Sequence, residues 1–144
     1  MKKTLLVICT VFLIIMLILF WNFRQVQAEN RLIQKFNYEY EFYNREGICG
    51  IDITTVINKA TDNNEKCEVK KDENGYYIPN DEDSINIDIK LINNDKTYRM
   101  EKIKEVGLEG FVEFFGEVEF KCTNIEYHEK TGKISKMTFE SLQK

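Results

Sequence analysis

Hydrophobic positions follow three different rhythms along this chain. The first is unbroken: Thr4 to Phe23, TLLVICTVFLIIMLILFWNF, is twenty residues without a charge. At about 1.5 Å per residue such a helix covers roughly 30 Å, the thickness of a bilayer's hydrocarbon core. The pattern therefore predicts a transmembrane helix over 4–23. No proline or glycine follows between Asn22 and Asn44. There the second rhythm begins: Ile33, Phe36, Tyr40 and Tyr43 recur at +3, +4 and +3, on one helical face. Leu32 flanks the stripe, and Arg31, Gln34, Lys35 and Glu41 fall off it. The membrane helix is thus expected to continue as an amphipathic stem over 24–46, ended by Gly47 and Gly50, with its stripe packed on the domain that follows.

Asp52 then suits the N-cap of a short helix from Ile53 to about Ala60, with Val56, Ile57 and Ala60 inward. Thr61 to Lys66 is polar and reads as a loop. Beyond it the third rhythm, period two, predicts a small antiparallel sheet. Cys67–Lys71 and Tyr76–Ile78 flank Asn74-Gly75, a hairpin signal. Pro79 ends the second of these strands, and Asn80 to Ser84 is an acidic loop. Ile85, Ile87, Ile89 and Leu91 alternate with polar residues as a half-buried strand. Asn93-Asn94-Asp95 is expected to turn that strand into Thr97–Met100. Glu101 to Phe115 reads as helix, broken near Gly107, with Leu108, Phe111, Val112 and Phe115 on its apolar face. A last hairpin pairs Glu117–His128 with Lys133–Glu140 around a turn at Glu129–Gly132. Val118, Phe120 and Cys122 alternate in one phase, and Ile125 and Tyr127 in the other. That slip predicts a bulge near Thr123–Asn124. The fold class is α+β: a long N-terminal helix packed on a small antiparallel sheet with one or two short helices.

The flanks of the apolar run set its expected orientation. Met1-Lys2-Lys3 is a short basic tail that belongs in the cytoplasm, and the single Arg24 opposes this only weakly, so the C-terminal domain is expected outside. The domain plan is a cytoplasmic tail at 1–3, a transmembrane helix at 4–23, a stem at 24–46 and an extracytoplasmic α+β domain at 47–144. Val26-Gln27-Ala28 offers small residues at the −3 and −1 positions of a signal-peptidase site before Glu29. The apolar run is longer than the 7–15 residues of a signal h-region, which favours an uncleaved anchor.

The whole chain carries −4; Lys2, Lys3 and Arg24 are the only charges in residues 1–24, leaving −7 for the rest. An acidic domain with scattered lysines does not suit a nucleic-acid partner, and it lacks a polybasic patch for anionic lipid heads. Of four cysteines, Cys9 lies in the apolar run. Cys49, Cys67 and Cys122 lie beyond it, an odd number that cannot all pair internally. A Cys49–Cys67 bridge would close a loop of about 18 residues and add roughly 3 kcal/mol. Buried unpaired thiols are the other reading. The cysteines and His128 have no paired spacing of the kind zinc sites use. His128, beside the final turn, reads as an exposed turn histidine. Cys122 and His128 lie six apart on one strand, about 20 Å, too far for a thiol–imidazole pair. No phosphate loop, nucleophile elbow or metalloprotease helix occurs. Asn80–Ser84 lacks the alternating ligands and the glycine of an EF-hand loop. No catalytic residue, cofactor site or metal site is assigned. The chain is expected not to be an enzyme, its partners are the membrane and possible envelope proteins, and the sequence names no small-molecule ligand.

The order of basic tail, apolar helix, amphipathic stem and C-terminal sheet resembles type IV pilin-like proteins. Gly50-Ile51-Asp52-Ile53-Thr54-Thr55-Val56-Ile57 looks like the Gly-x-Asp-Val-like helix start of small pilin-like and single-pass envelope proteins of low-GC Gram-positive bacteria. The resemblance implies a structural or assembly role in the cell envelope. No Gly-Phe or Gly-Met type leader site precedes the apolar run, and Thr4–Phe23 lacks the early glutamate that pilins use for assembly. The alternative is a small secreted binding domain, released after Ala28.

Overall fold

A computed structural model describes residues 2–92 and 96–142. The chain divides into two compact units, Met1–Lys35 and Phe36–Lys144. Helix α1, Lys2–Glu41, contributes to both. Within the first unit, the large apolar side chains from Leu6 to Phe23 are 49–68% exposed. Its Thr10 hydroxyl donates to the Val7 carbonyl at 2.8 Å, as a hydroxyl in an apolar setting must if it is not to go unpaired. The helix stops at Glu41, short of the expected end of the stem, and turns through Tyr43 and Asn44, whose amides bond the carbonyls of Tyr40 and Glu41. Of the predicted stripe, Tyr40 and Tyr43 are buried in the second unit and Phe36 packs against its core. Ile33 belongs to the first unit and is half-buried.

The second unit is α+β, as expected. Its elements are β1 (Glu46–Cys49), α2 (Gly50–Lys66), β2 (Asn86–Leu91), β3 (Lys96–Arg99), α3 (Met100–Val106), α4 (Leu108–Phe115), β4 (Glu119–Tyr127) and β5 (Ile134–Ser141). The five strands form one sheet in the order β1-β4-β5-β2-β3. It is mixed rather than purely antiparallel, because β2 runs parallel to β5 from Asn86↔Lys136 to Lys90↔Glu140. A parallel pair needs a long crossover, and β3, α3, α4 and β4 supply it. One sheet face carries Ile48, Phe120, Met137, Phe139, Ile87 and Ile89, all fully buried. Ile53, Val56, Ile57 and Ala60 of α2 are buried with them in one core cluster.

Several local expectations agree with the structure. Gly107 takes φ 108° and breaks the helix expected over Glu101–Phe115 into α3 and α4. Gly132 closes the last turn at φ 68°. Opposite Cys122↔Phe139 and Asn124↔Thr138, Thr123 is the extra residue, so the phase slip in β4 is the predicted bulge. Ile125 packs on the core, but Tyr127 stays exposed, beside a second register shift between Glu126 and Tyr127. The expected turn at Asn93–Asp95 lies outside the described residues.

Other expectations need correction. Gly47 and Gly50 do not simply end a helix. Gly47, at φ 76°, lies where the β1–β4 register shifts, and Gly50 is the first residue of α2. The N-cap of α2 is Cys49 rather than Asp52, whose carboxylate accepts from the Cys49 thiol at 3.3 Å. Thr61–Lys66 is not a loop but the last turns of α2, because Asn64 is held there at both ends of its amide. Its Nδ2 donates to the Ile85 carbonyl and its Oδ1 accepts from the Ile85 amide, both at 2.8 Å and fully buried. Asn63 adds a bond to the Asp83 carbonyl at 2.7 Å. These contacts outweigh the poor helix propensity of asparagine. Cys67–Lys71 and Tyr76–Ile78 do turn back on each other at Gly75, φ 81°, with the Asp72 amide on the Tyr76 carbonyl and the Ile78 amide on the Lys70 carbonyl, both at 2.8 Å, but they pair through one bridge, Lys71↔Tyr77, rather than as strands.

Side chains also hold the segment around that bridge. Asp72 Oδ1 accepts from the amides of Asn74 and Tyr76 at 2.9 Å. Glu101 Oε1 accepts from the Tyr77 amide at 2.9 Å and from Arg99 Nη2 at 3.1 Å. Arg99 also donates to the Tyr77 carbonyl and to Asn86 Oδ1. The Glu101 side chain is 10% exposed. Removing it leaves the Tyr77 amide and the guanidinium without this partner. Glu101→Ala is expected to cost about 2 kcal/mol, read as a lower urea midpoint. Glu101→Gln keeps the Oε1 acceptor and should cost less than half as much.

Candidate ligand cleft

The break at Gly107 creates a concavity. Ile103 of α3 and Phe111 of α4 turn into the core, and Phe111 stacks near Phe115 and Phe120 with ring centres 5.2 and 6.3 Å away. The two short helices do not close over the adjoining strands. Between them lies a cleft of about 360 Å³, lined by Ile89 and Leu91 of β2, Tyr98 of β3, and Ile103, Phe111 and Phe115 of the helices. Its size is that of a small-molecule site. Val106 and Phe114, each 76% exposed, also line it. Lys102 lines it as well and bonds Glu105 at 2.7 Å on the exposed side of α3. That bond raises the Lys102 pKa.

Alternation along β2 puts Asn86 and Asp88 on the other sheet face. There a second, polar concavity of about 410 Å³ is lined by Asp88, Arg99, Glu126, His128 and Lys136, among others. Three of its charged groups are held: Lys136 meets Asp88 at 2.8 Å, a hydrogen bond that raises the lysine's pKa, and Arg99 is held by Glu101 and Asn86. His128 is buried, not the exposed turn residue its position suggested, because the acidic loop folds over it. Its Nε2 lies 2.8 Å from the Ser84 carbonyl. A carbonyl only accepts, so Nε2 carries the proton. Asn80 Oδ1 gathers the amides of Glu82, Asp83 and Ser84, and Lys130 and Lys133 pair with Glu82 and Asp83. Two of the loop's three carboxylates, Glu82 and Asp83, are thus engaged with the final hairpin.

The cysteines are free thiols. Cys49 and Cys67 cap opposite ends of α2, seventeen residues long. At about 1.5 Å per residue this puts them some 25 Å apart, far beyond disulfide reach. Cys122 is half-buried with its Sγ 3.7 Å from the Asn124 carbonyl, and burial pushes the thiol's pKa up. The bulge at Thr123 absorbs one residue without folding β4 back, so strand length still separates Cys122 from His128. Among the described residues no three His, Cys, Asp or Glu side chains are grouped to hold a metal.

Reading the sequence missed the cleft. Its signals were present: Gly110 inside a helix, and Val106 and Phe114 off the predicted apolar face. Neither shows a cavity until β2 and β3 are placed beneath them. No family model, curated protein or solved structure matches this chain.

Proposed function

We propose that the chain is a non-enzymatic, membrane-anchored protein whose C-terminal domain lies outside the cell and serves envelope structure or assembly. The observation that carries this reading is the uncovered apolar surface of α1. An 18-residue window there has a mean hydropathy of 2.7, and none of it is buried by the chain itself. Water penalises such a surface at every residue, whereas a bilayer accepts it at about −0.3 to −0.6 kcal/mol per central Leu, Ile, Phe or Val. Lys2 and Lys3 favour a cytoplasmic N-terminus. The assembly role is supported by the pilin-like layout, in which α1 continues unbroken past the span and delivers Phe36 and Tyr40 to the core of the second unit.

The test is extraction of cell membranes with alkaline carbonate, combined with labelling of the exposed Cys67 on intact cells by a membrane-impermeant maleimide. The full-length chain is expected to stay in the pellet and to label at Cys67. A Lys2→Glu, Lys3→Glu double variant should lose part of that labelling. A soluble product beginning at Glu29 would replace this reading with release after Ala28. Against release stands the position of Ala28 inside α1, since a protease must draw its substrate out of a helix before cutting it.

A further inference from the structure

We propose that the cleft between β2–β3 and α3–α4 binds the hydrocarbon chain of a long-chain fatty acid, with the carboxylate at Lys102. The proposal rests on the anchor reading above, which sets the domain beside a source of such chains. Three observations carry it. The cleft walls are apolar over a ligand-sized volume of about 360 Å³. Among the described lining residues Lys102 alone is ionic, which suits an amphiphile with one anionic head. Its partner Glu105 is 69% exposed, so a carboxylate can replace it without stranding a buried charge.

The third observation is Gly110. It lies within α4, where glycine weakens a helix relative to alanine. Gly107 needs its positive φ, and Gly50 meets backbone atoms at close range. Gly110 has neither reason: its φ is not left-handed, and a Cβ there would meet nothing within 4 Å. What its missing side chain provides is space along the cleft wall. A glycine at a helix position with open space above it leaves room for a ligand to approach the backbone.

The experiment uses the full chain in phosphatidylcholine nanodiscs and a palmitate analogue carrying a diazirine near its chain end. After irradiation, adducts are mapped by peptide mass. Adducts on residues 4–23 report the membrane helix, and adducts on residues 98–115 report the cleft, so the two readings succeed or fail separately. Excess unlabelled palmitate should remove the cleft adducts and spare those on 4–23. Gly110→Phe should lower cleft labelling about tenfold, and Lys102→Glu about threefold. Gly110→Ala, too small to fill the cleft, should leave labelling intact and confirm that a side chain at this position does not itself disrupt folding. Labelling confined to 4–23 would overturn the proposal, as would cleft labelling that Gly110→Phe leaves unchanged. So would cleft labelling obtained equally from a diazirine phosphatidylcholine and not displaced by palmitate, which would assign the groove to bilayer contact. A dimer whose formation blocks the cleft and is abolished by Gly110→Phe would assign it to a second copy and equally overturn it.

Discussion

Asn64→Ala is expected to lower the stability of the globular unit by about 3 kcal/mol. The Asn64 side chain is fully buried and completes a two-way bridge with the backbone of Ile85. Alanine removes both hydrogen bonds at once. The Ile85 amide and carbonyl are then left in a site too tightly packed for bulk water to replace the partner. Each stranded backbone group costs about 1–3 kcal/mol, more than a typical net hydrogen bond contributes. Asn64→Asp is the sharper probe, because it preserves shape and one acceptor. It offers no donor to the Ile85 carbonyl and brings a buried charge, so it should be at least as damaging as alanine. Urea unfolding of the full chain in detergent, followed by the near-ultraviolet dichroism of the buried tyrosines, reads the change. A loss below about 1 kcal/mol for Asn64→Ala would show that the clamp does not hold α2 to the start of β2.

Gly50→Ala should be as damaging for a different reason. A Cβ at Gly50 falls 1.9 Å from the Phe115 carbonyl oxygen and 2.6 Å from its carbon. These are backbone atoms at the end of α4 and have no rotamer to escape into. The same approach carries the Gly50 amide to the Val118 carbonyl at 3.1 Å and the Ile51 amide to that of Gly116 at 3.4 Å. Admitting one methyl group must push the α4–β4 turn away and stretch both bonds. The expected cost is about 3 kcal/mol, near the upper end for overpacking, and a fall in Tm of about 10–20 °C. Gly110→Ala is the matched control. It adds the same methyl group to a helix but in open space, so it should stabilise by about 0.5–1 kcal/mol. If both substitutions shift Tm alike, helix propensity rather than close approach governs these glycines.

The two glycines show where sequence reading stops. In the sequence both are a glycine next to an apolar residue, and local signals place Gly50 only at the end of one helix and the start of the next. Only the contact with Phe115, sixty-five residues away in the chain, explains it. The loop expected at Thr61–Lys66 is helix for the same reason. Asparagine favours loops on local grounds, and it is a partner twenty-one residues on that keeps Asn64 in a helix. Asn37 makes a similar two-way amide contact with the Gly132 carbonyl and the Ile134 amide. The parallel register of β2 on β5 has no local signature either, since one half-buried strand alternates alike in either direction.

What the sequence by itself determined is the part governed by one-dimensional quantities: the apolar run long enough to span a bilayer, the 3.6-residue stripe of Phe36, Tyr40 and Tyr43, the alternation of Ile85, Ile87 and Ile89, the glycine turns, and the bulge marked by a change of phase in β4. Each follows from spacing, because a helix or strand imposes its period on whatever it buries. The tertiary structure alone decided the mixed strand order, the burial of His128 beneath the acidic loop, the two-way clamps of Asn37 and Asn64, and the cleft under α3 and α4. Each of these depends on groups distant in sequence meeting at hydrogen-bond or van der Waals range, and no local period encodes which partner arrives.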